Sequence, residues 1–464
     1  MSLPCRSGEF RPFAHLALNV LSVMLVAGLC FTGPALAFDH EGHDDDGGVG
    51  VRPSDFPSVG GHGRPDSAAD IIGERPALLH HMDQGDIDSH AVGFNEILLQ
   101  GFNVFVAEWT TMEGAGRPNT NGAGKPTTHP SKYQFRRATA AGPDSGSCVS
   151  CHGSPRPGGA AGRNLNLFLG FTGVQDFDAS GNPVSPGALS IDFANYNERN
   201  PPNLFGDGPL EVASREMSFE LQAIRAAAKA EAASSGVAVT KDLVAKGVSF
   251  GKITAQPNGL IDGSQIQGVD WDLIVKAFGW KGGLNIRSFE AGGMNLHFGM
   301  QPREKFGRGT DPDGDGVSDE LTCGDMTAEV VFTAALSPPG QVITGSRARR
   351  NAIGRGKAIF DASQCASCHT PKMYLDNPVY TEPGPFNAKA ALLFIGAESP
   401  EGIAQGSTTV STTFSVAQPF AFDLTRDGPR PRIERTQDGR GVIEAYTDLK
   451  RHVLVDGTTT FFGN

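Results

Sequence analysis

The chain has 464 residues, a formal net charge of −12 and 39% hydrophobic content, enough for two or three domains with real cores. The acidity excludes nucleic acid and anionic membrane surfaces as electrostatic partners. Gly 60 and Pro 31 together make about a fifth of the chain, which points to long loops over short elements.

Residues 1–37 read as a secretory signal peptide. Arg6 and Arg11 precede an apolar run from Leu16 to Phe31, and Ala35-Leu36-Ala37 offers a small-residue cleavage site. The run is short of the ~20 residues a membrane span needs. Lipidation at Cys30 is the weaker reading, because Leu29 stands where a small residue would be expected. Cleavage removes Cys5 and Cys30 and leaves no transmembrane anchor. Residues 38–84 are polar, Gly-rich and acidic, as in His40-Glu41-Gly42-His43-Asp44-Asp45-Asp46, and read as a flexible arm.

Residues 85–206 hold the first chemistry. Phe94, Ile97, Leu98, Phe102 and Phe105 recur at helical spacing across Ala91–Glu108. A Gly- and Pro-rich stretch then leads to Cys148-Val149-Ser150-Cys151-His152. The same pattern returns as Cys365-Ala366-Ser367-Cys368-His369. Covalent haem c needs this arrangement: two thiols one helical turn apart to add across the haem vinyl groups, and an adjacent imidazole to ligate the iron. Cys148, Cys151 and His152, with Cys365, Cys368 and His369, are therefore the cofactor residues, and His152 and His369 the proximal iron ligands. Zinc ribbons place two C-x-x-C knuckles within ~15–20 residues, and these two runs lie far beyond that. A thioredoxin-type pair needs no following histidine, and both runs have one. Only Cys323 is left without a role. Gly101-x-x-x-Phe105 before the first run echoes Gly356-x-x-x-Phe360 before the second, as in an internal duplication.

Residues 207–340 form a middle segment. A periodic helix is expected over Ser214–Ser234, with Met217, Leu221, Ile224 and Ala228 facing a core. Trp271 and Trp280 are candidate electron relays. Met294, His297 and Met300 repeat at near-helical spacing and are each able to fill the sixth position of a haem iron, His297 being favoured; a buried methionine pair with a hydrogen-bonded histidine is the alternative. In the acidic loop that follows, Asp311, Asp313, Asp315, the Val317 carbonyl and Asp319 match the start of a calcium loop. Thr322 stands where the closing glutamate would be, leaving Asp319 or Glu320 to complete the shell, and a solvated acidic turn is the alternative. A helix through Met326–Leu336 ends at Ser337-Pro338-Pro339-Gly340. Residues 341–464 carry the second haem motif and end in Tyr446–His452 and a short tail.

These segments resemble a family. Gly142-Pro143-Asp144, both haem motifs, Glu198–Gly206, Gly279-Trp280-Lys281, Gly299-Met300-Gln301, the Asp311–Glu320 loop and Tyr446–His452 together are similar to the bacterial di-haem oxidoreductases. That family is akin to di-haem cytochrome c peroxidases and to the maturase of the tryptophan-derived cofactor of methylamine dehydrogenase. The resemblance runs from about residue 85 to the end. It implies a mainly α, loop-rich fold with two cytochrome-c-like haem domains around the middle insertion, two haem c groups and a periplasmic location. Members continue past the Asp448–His452 segment, so a C-terminally incomplete second domain is expected, with His452 a candidate sixth ligand there.

Two functions follow from such a chain. In one, a haem with an open sixth site meets a small oxidant such as peroxide, while the other relays single electrons from a soluble donor or acceptor protein. In the other, both irons are six-coordinate and the protein only carries electrons. A third, a binding role within a larger complex, also remains. The overall negative charge suits a basic carrier.

Overall fold

A computed structural model describes residues 75–116, 145–161, 201–278, 285–311, 314–341, 343–386 and 419–452, and the backbone of strands 166–169 and 196–199. Its helices are α1 (Gln84–Asp88), α2 (Phe94–Val106), α3 (Cys148–Cys151), α4 (Asp207–Ser235), α5 (Ile286–Gly293), α6 (Arg303–Phe306), α7 (Cys323–Ala335) and α8 (Arg347–Ala362). A π-helical turn, Met294–Phe298, continues α5 directly. Among the described residues, no helix is long and apolar enough to cross a membrane.

The expected mainly α, cytochrome-like fold needs correction. Ten strands form four small antiparallel sheets: β1 (Asn166–Leu169) with β2 (Tyr196–Arg199), β3 (Val239–Ala245) with β4 (Val248–Ala255) and β5 (Ile261–Asp262), β6 (Met373–Leu375) with β10 (Gly441–Ile443) and β9 (Glu434–Arg435), and β7 (Val379–Glu382) with β8 (Phe420–Asp423). The cause in the middle segment is local. Lys246 and Gly247 both take positive φ (44° and 81°), which is the two-residue hairpin turn whose twist matches that of paired strands. Leu243, Ala245, Phe250 and Ile253 then turn inward against Met217 and Leu221 of α4, and Ala255 against Ala228 and Ala232 further along the same helix. The helix itself starts seven residues before the periodic stripe suggests, because Asp207–Ala213 packs against α7.

The centre of the fold is the crossing of α2 and α7. Thr322 caps α7 by accepting the Asp325 amide at 3.0 Å, and Glu96 closes the start of α2 by accepting the Gly93 amide at 2.7 Å. Phe102 and Phe105 meet Phe332 with ring centroids 5.8 and 5.1 Å apart. The two backbones touch at Gly101, where an added Cβ would stand 1.9 Å from the Ala328 carbonyl oxygen. Gly356 on α8 has nothing within 4 Å of the same position.

One apolar core joins these helices to the C-terminal strands. Ile97, Val212, Ala328 and Val331 share it with Leu375, Tyr380, Phe422 and Ile443. The helix that crosses α2 thus comes from the middle segment, and strands of the last segment pack on both. By contrast α8 buries no residue at all.

A buried ion network pins this junction. Arg287 of α5 donates to Glu382 of β7 at 2.8 Å and to Thr327 of α7 at 3.0 Å, and its Nε reaches Glu304 at 3.0 Å. Arg215 of α4 pairs with Glu211, lies 3.6 Å from Glu382, and stacks on Tyr380 with its guanidinium carbon 4.4 Å from the ring centroid.

Candidate haem sites

Both Cys-x-x-Cys-His runs fold alike. The first run is a single helical turn, and the His152 amide donates to the Cys148 carbonyl at 2.8 Å. In the second, a tighter turn over Cys365–Ser367 ends with the His369 amide donating to the Cys365 carbonyl at 2.9 Å. In each turn the two cysteines are three residues apart, the spacing that puts two side chains on one side of a helical turn.

The two imidazoles are also held alike. His152 Nδ1 lies 2.8 Å from the Pro202 carbonyl oxygen, and His369 Nδ1 lies 3.0 Å from that of Tyr446. A carbonyl only accepts, so Nδ1 must carry the proton and Nε2 is left with its lone pair for a metal. Burial lowers the His152 pKa, against the Pro202 bond that raises it, which keeps the ring neutral. The residues at both motifs therefore fit haem c.

The first motif is walled in. Ser147, at the start of its turn, donates to Glu108 at 2.8 Å, and the Ser145 amide reaches the His297 carbonyl at 3.3 Å. The π-helical turn, a geometry common at functional sites, lies alongside. Met294, Phe298 and Met300 share a core with Val104, Trp109 and Met326, and Cys148 packs against it. His297 is near enough for its charge to lower the His152 pKa. The structure thus brings Met294, His297 and Met300 to the first motif, with both methionines in the core.

Two acids sit at the same place. Cys148 Sγ lies 3.3 Å from Glu329 Oε1 of α7. Burial, with Asp325 and Glu304 adding repulsion, pushes the Glu329 carboxyl up to about 8. Burial, then the Glu329 charge, raises Glu290 of α5 well above the usual carboxylate range. Burial likewise holds the Cys148 thiol protonated.

The sequence did not point to Trp109. It is 7% exposed, and its indole N–H is buried with no acceptor among the described residues, a donor a haem propionate would satisfy. The only available hint was its place just after the Gly101–Phe105 helix. Trp271 is 50% exposed, with its ring over Gly263 and its carbonyl near Arg225, and neither belongs to a haem motif. Trp280 lies outside the described residues, as do Asp313 and the Gly142–Asp144 and Gly279–Lys281 segments.

The second motif is open. Cys365, Cys368 and His369 are exposed, and Phe360 stands 6.4 Å from the His369 ring and 5.6 Å, edge-on, from Tyr446. A pocket of about 290 Å³ lies between α8 and Tyr446, lined by Ile353, Gly356, Phe360 and Pro371 among others. His452 is anchored at 2.8 Å by Asp448 through Nε2 and points Nδ1 at Cys368 Sγ, 3.9 Å away. Ligand atoms of Cys368, Asp448 and His452 lie within 4.8 Å of one another.

In the acidic loop, Asp311 accepts the amides of Gly314 (2.8 Å), Asp315 (3.1 Å) and Gly316 (3.0 Å), and Asp315 accepts that of Val317 at 2.8 Å. Asp319 is tied to Arg303 at 2.8 Å, and Glu320 turns inward to accept the Gln301 amide at 2.6 Å. Those two carboxylates are engaged away from the loop. Burial pushes the Cys323 thiol up to about 11, with Glu304 adding to it, so it stays a thiol at neutral pH.

Compared with protein-family models, with curated proteins and with solved structures, the chain has no match.

Proposed function

We propose that this chain is an extracytoplasmic di-haem c oxidoreductase, delivered by its signal peptide to the periplasm and related to the di-haem peroxidases. The observation that carries the reading is the paired orientation of His152 and His369, each with Nδ1 held by a backbone carbonyl and Nε2 left for iron. Haem c, when bound, supplies a one-electron iron couple, and two of them suit a two-electron reaction with a small oxidant such as peroxide.

The chain's own residues divide the work. His152 and His369 present an Nε2 lone pair from fixed rings. Trp109 offers an indole proton at the first site, and Met294, Phe298 and Met300 keep water from it. Glu329, pushed up to about 8, holds a proton at neutral pH beside that site, and burial raises Glu290 in the same direction, which is what peroxide cleavage asks of an acid–base group. They favour catalysis over simple electron carriage. Asp311, Asp315 and the Val317 carbonyl remain donors for a calcium ion, which would brace the loop before α7.

Haem content tests the reading. Extraction into alkaline pyridine should give two haems per chain, and C148S/C151S and C365S/C368S should each lose one. A second reading is favoured by the Cys368, Asp448 and His452 cluster: a zinc-like ion at the second motif. One haem and one zinc per chain would establish that reading instead. An optical spectrum then separates enzyme from carrier. A high-spin band, present at rest or appearing after one electron enters, marks the enzyme. Low-spin haem indifferent to peroxide marks the carrier.

A further inference from the structure

The chain is acidic overall, yet the helix leading into the second motif is strongly basic. Arg347, Arg349, Arg350, Arg355 and Lys357 all lie on α8 and are all exposed, against the single acid Asp361. None of the five has an ion-pair partner among the described residues. At 100° per residue, Arg347 and Arg355 fall on the side of α8 opposite Ile353, Gly356 and Phe360, and Arg350 stands at the edge of that side. The latter three face the pocket shared with Tyr446.

Their position is costly to the helix. Ser346 caps α8, so Arg347, Arg349 and Arg350 occupy its first turn, and that turn has no acidic residue. The helix dipole places positive charge there already, and cations beside it destabilise the helix. Arg350 donates to the Gly345 carbonyl, and folding gives no comparable reason for Arg347 and Arg349 at this end. Beyond the same helix lie the exposed Cys365, Cys368 and His369.

We infer that the outward face of α8, on the helix leading to the second motif, is the docking surface for a small electron-carrier protein with an acidic face. The inference rests on the di-haem reading and reverses the partner charge that the net charge of the chain suggests. Unpaired cations along the helix that leads to a redox centre draw an anionic partner towards it and bias its orientation. An anionic lipid surface is the poorer match. Membrane-surface helices turn a broad apolar face outward, whereas α8 exposes one large apolar side chain, Ile359, among its five cations.

The test uses the full chain as secreted, and R347E/R350E/R355E. Calorimetry measures binding to a flavodoxin, a small acidic electron carrier, and to a basic cytochrome c. Stopped-flow absorbance follows electron entry at low salt and at a salt where the screening length falls below about 8 Å. The wild type should bind flavodoxin at least ~10-fold more tightly at low salt than at high salt. The variant should lose ~10-fold or more at low salt, while cytochrome c binding holds or improves. Its haem spectrum should be unchanged and its melting temperature equal or higher, since glutamates suit that helix end. Equal flavodoxin binding by variant and wild type overturns the inference. So does wild-type binding to phosphatidylglycerol vesicles with none to flavodoxin. A chain without covalent haem overturns the di-haem reading itself, and the docking inference with it.

Discussion

The two glycines that precede the haem motifs should respond to alanine with opposite signs. At Gly101 the new Cβ would lie 1.9 Å from the Ala328 oxygen, 2.5 Å from its carbonyl carbon and 2.7 Å from Phe332 Cβ. Ordinary carbon contacts begin at about 3.5 Å, so α2 and α7 must part by roughly 1.5 Å. Backbone has to yield, and the Phe102 and Phe105 contacts with Phe332 loosen with it. Overpacking of this kind costs about 1–3 kcal/mol, and a rigid backbone partner puts it at the upper end or beyond. Alanine returns about 1 kcal/mol of helix propensity, which leaves G101A roughly 2 kcal/mol less stable. At Gly356 nothing lies within 4 Å, so only the propensity gain remains and G356A should be about 1 kcal/mol more stable. Urea unfolding of the haem-loaded protein, followed by circular dichroism and haem absorbance, measures both. A neutral G101A would falsify the close crossing, and a G356A as damaging as G101A would mean that a second helix crosses α8.

Removing Arg287 with R287M should cost about 3–5 kcal/mol, since Glu382 and Glu304 lose the cation that compensates their burial; an unchanged melting temperature refutes the network's role. Glu329 should make stability fall as pH rises. Its carboxyl is held at about 8 in the fold against 4.5 in the free chain, so the folded state binds the extra proton between those values. The contribution is whole below about pH 4.5, declines through the interval, and is gone above about pH 8, a swing of several kcal/mol at roughly 1.4 per pH unit. E329Q should flatten that slope in urea midpoints taken at pH 6 and pH 9, and an unaltered slope rejects the assignment. H297A should add a high-spin band for one haem only, and a spectrum identical to wild type removes His297 as a sixth ligand.

How far the sequence spoke depended on whether chemistry or packing fixed the residue. The two Cys-x-x-Cys-His runs stand out in the sequence because the haem attachment proposed for them demands two thiols one turn apart and a neighbouring imidazole, whatever the surrounding fold. The close approach at Gly101 was not legible: its echo at Gly356 marks the glycine, yet nothing lies within 4 Å there. Nor was the helix that crosses. Thr322–Ala335 has no mark tying it to α2, and only the shared core does that. The sheets were hidden for a different reason. Strands of two to four residues such as β6, β7 and β9 are too short for alternation to stand out, and Lys246-Gly247 lacks the asparagine or aspartate that usually announces such a hairpin. Trp109 escaped because a buried orphan donor is a property of its neighbours, not of the residue.

The two halves use one motif in two settings, and the settings differ in the property that matters most for redox work. Around the first motif α2, α7 and the π-helical turn close an apolar core that contains Met294, Met300 and Trp109, beside two carboxyls whose pKa burial raises. Charge is expensive there, so a haem held as proposed at this motif would favour a compensating proton on any change of charge, and Glu329 stands nearest Cys148 to hold it. Thioether formation strengthens this. It removes the thiol proton of Cys148, and the Glu329 oxygen 3.3 Å away then does better protonated, as a donor to sulfur. The second motif follows a helix that buries nothing and carries five exposed cations, where charge is cheap and a partner can approach. Under the proposed di-haem reading, electrons would be best admitted at the second motif and proton-linked chemistry best confined to the first.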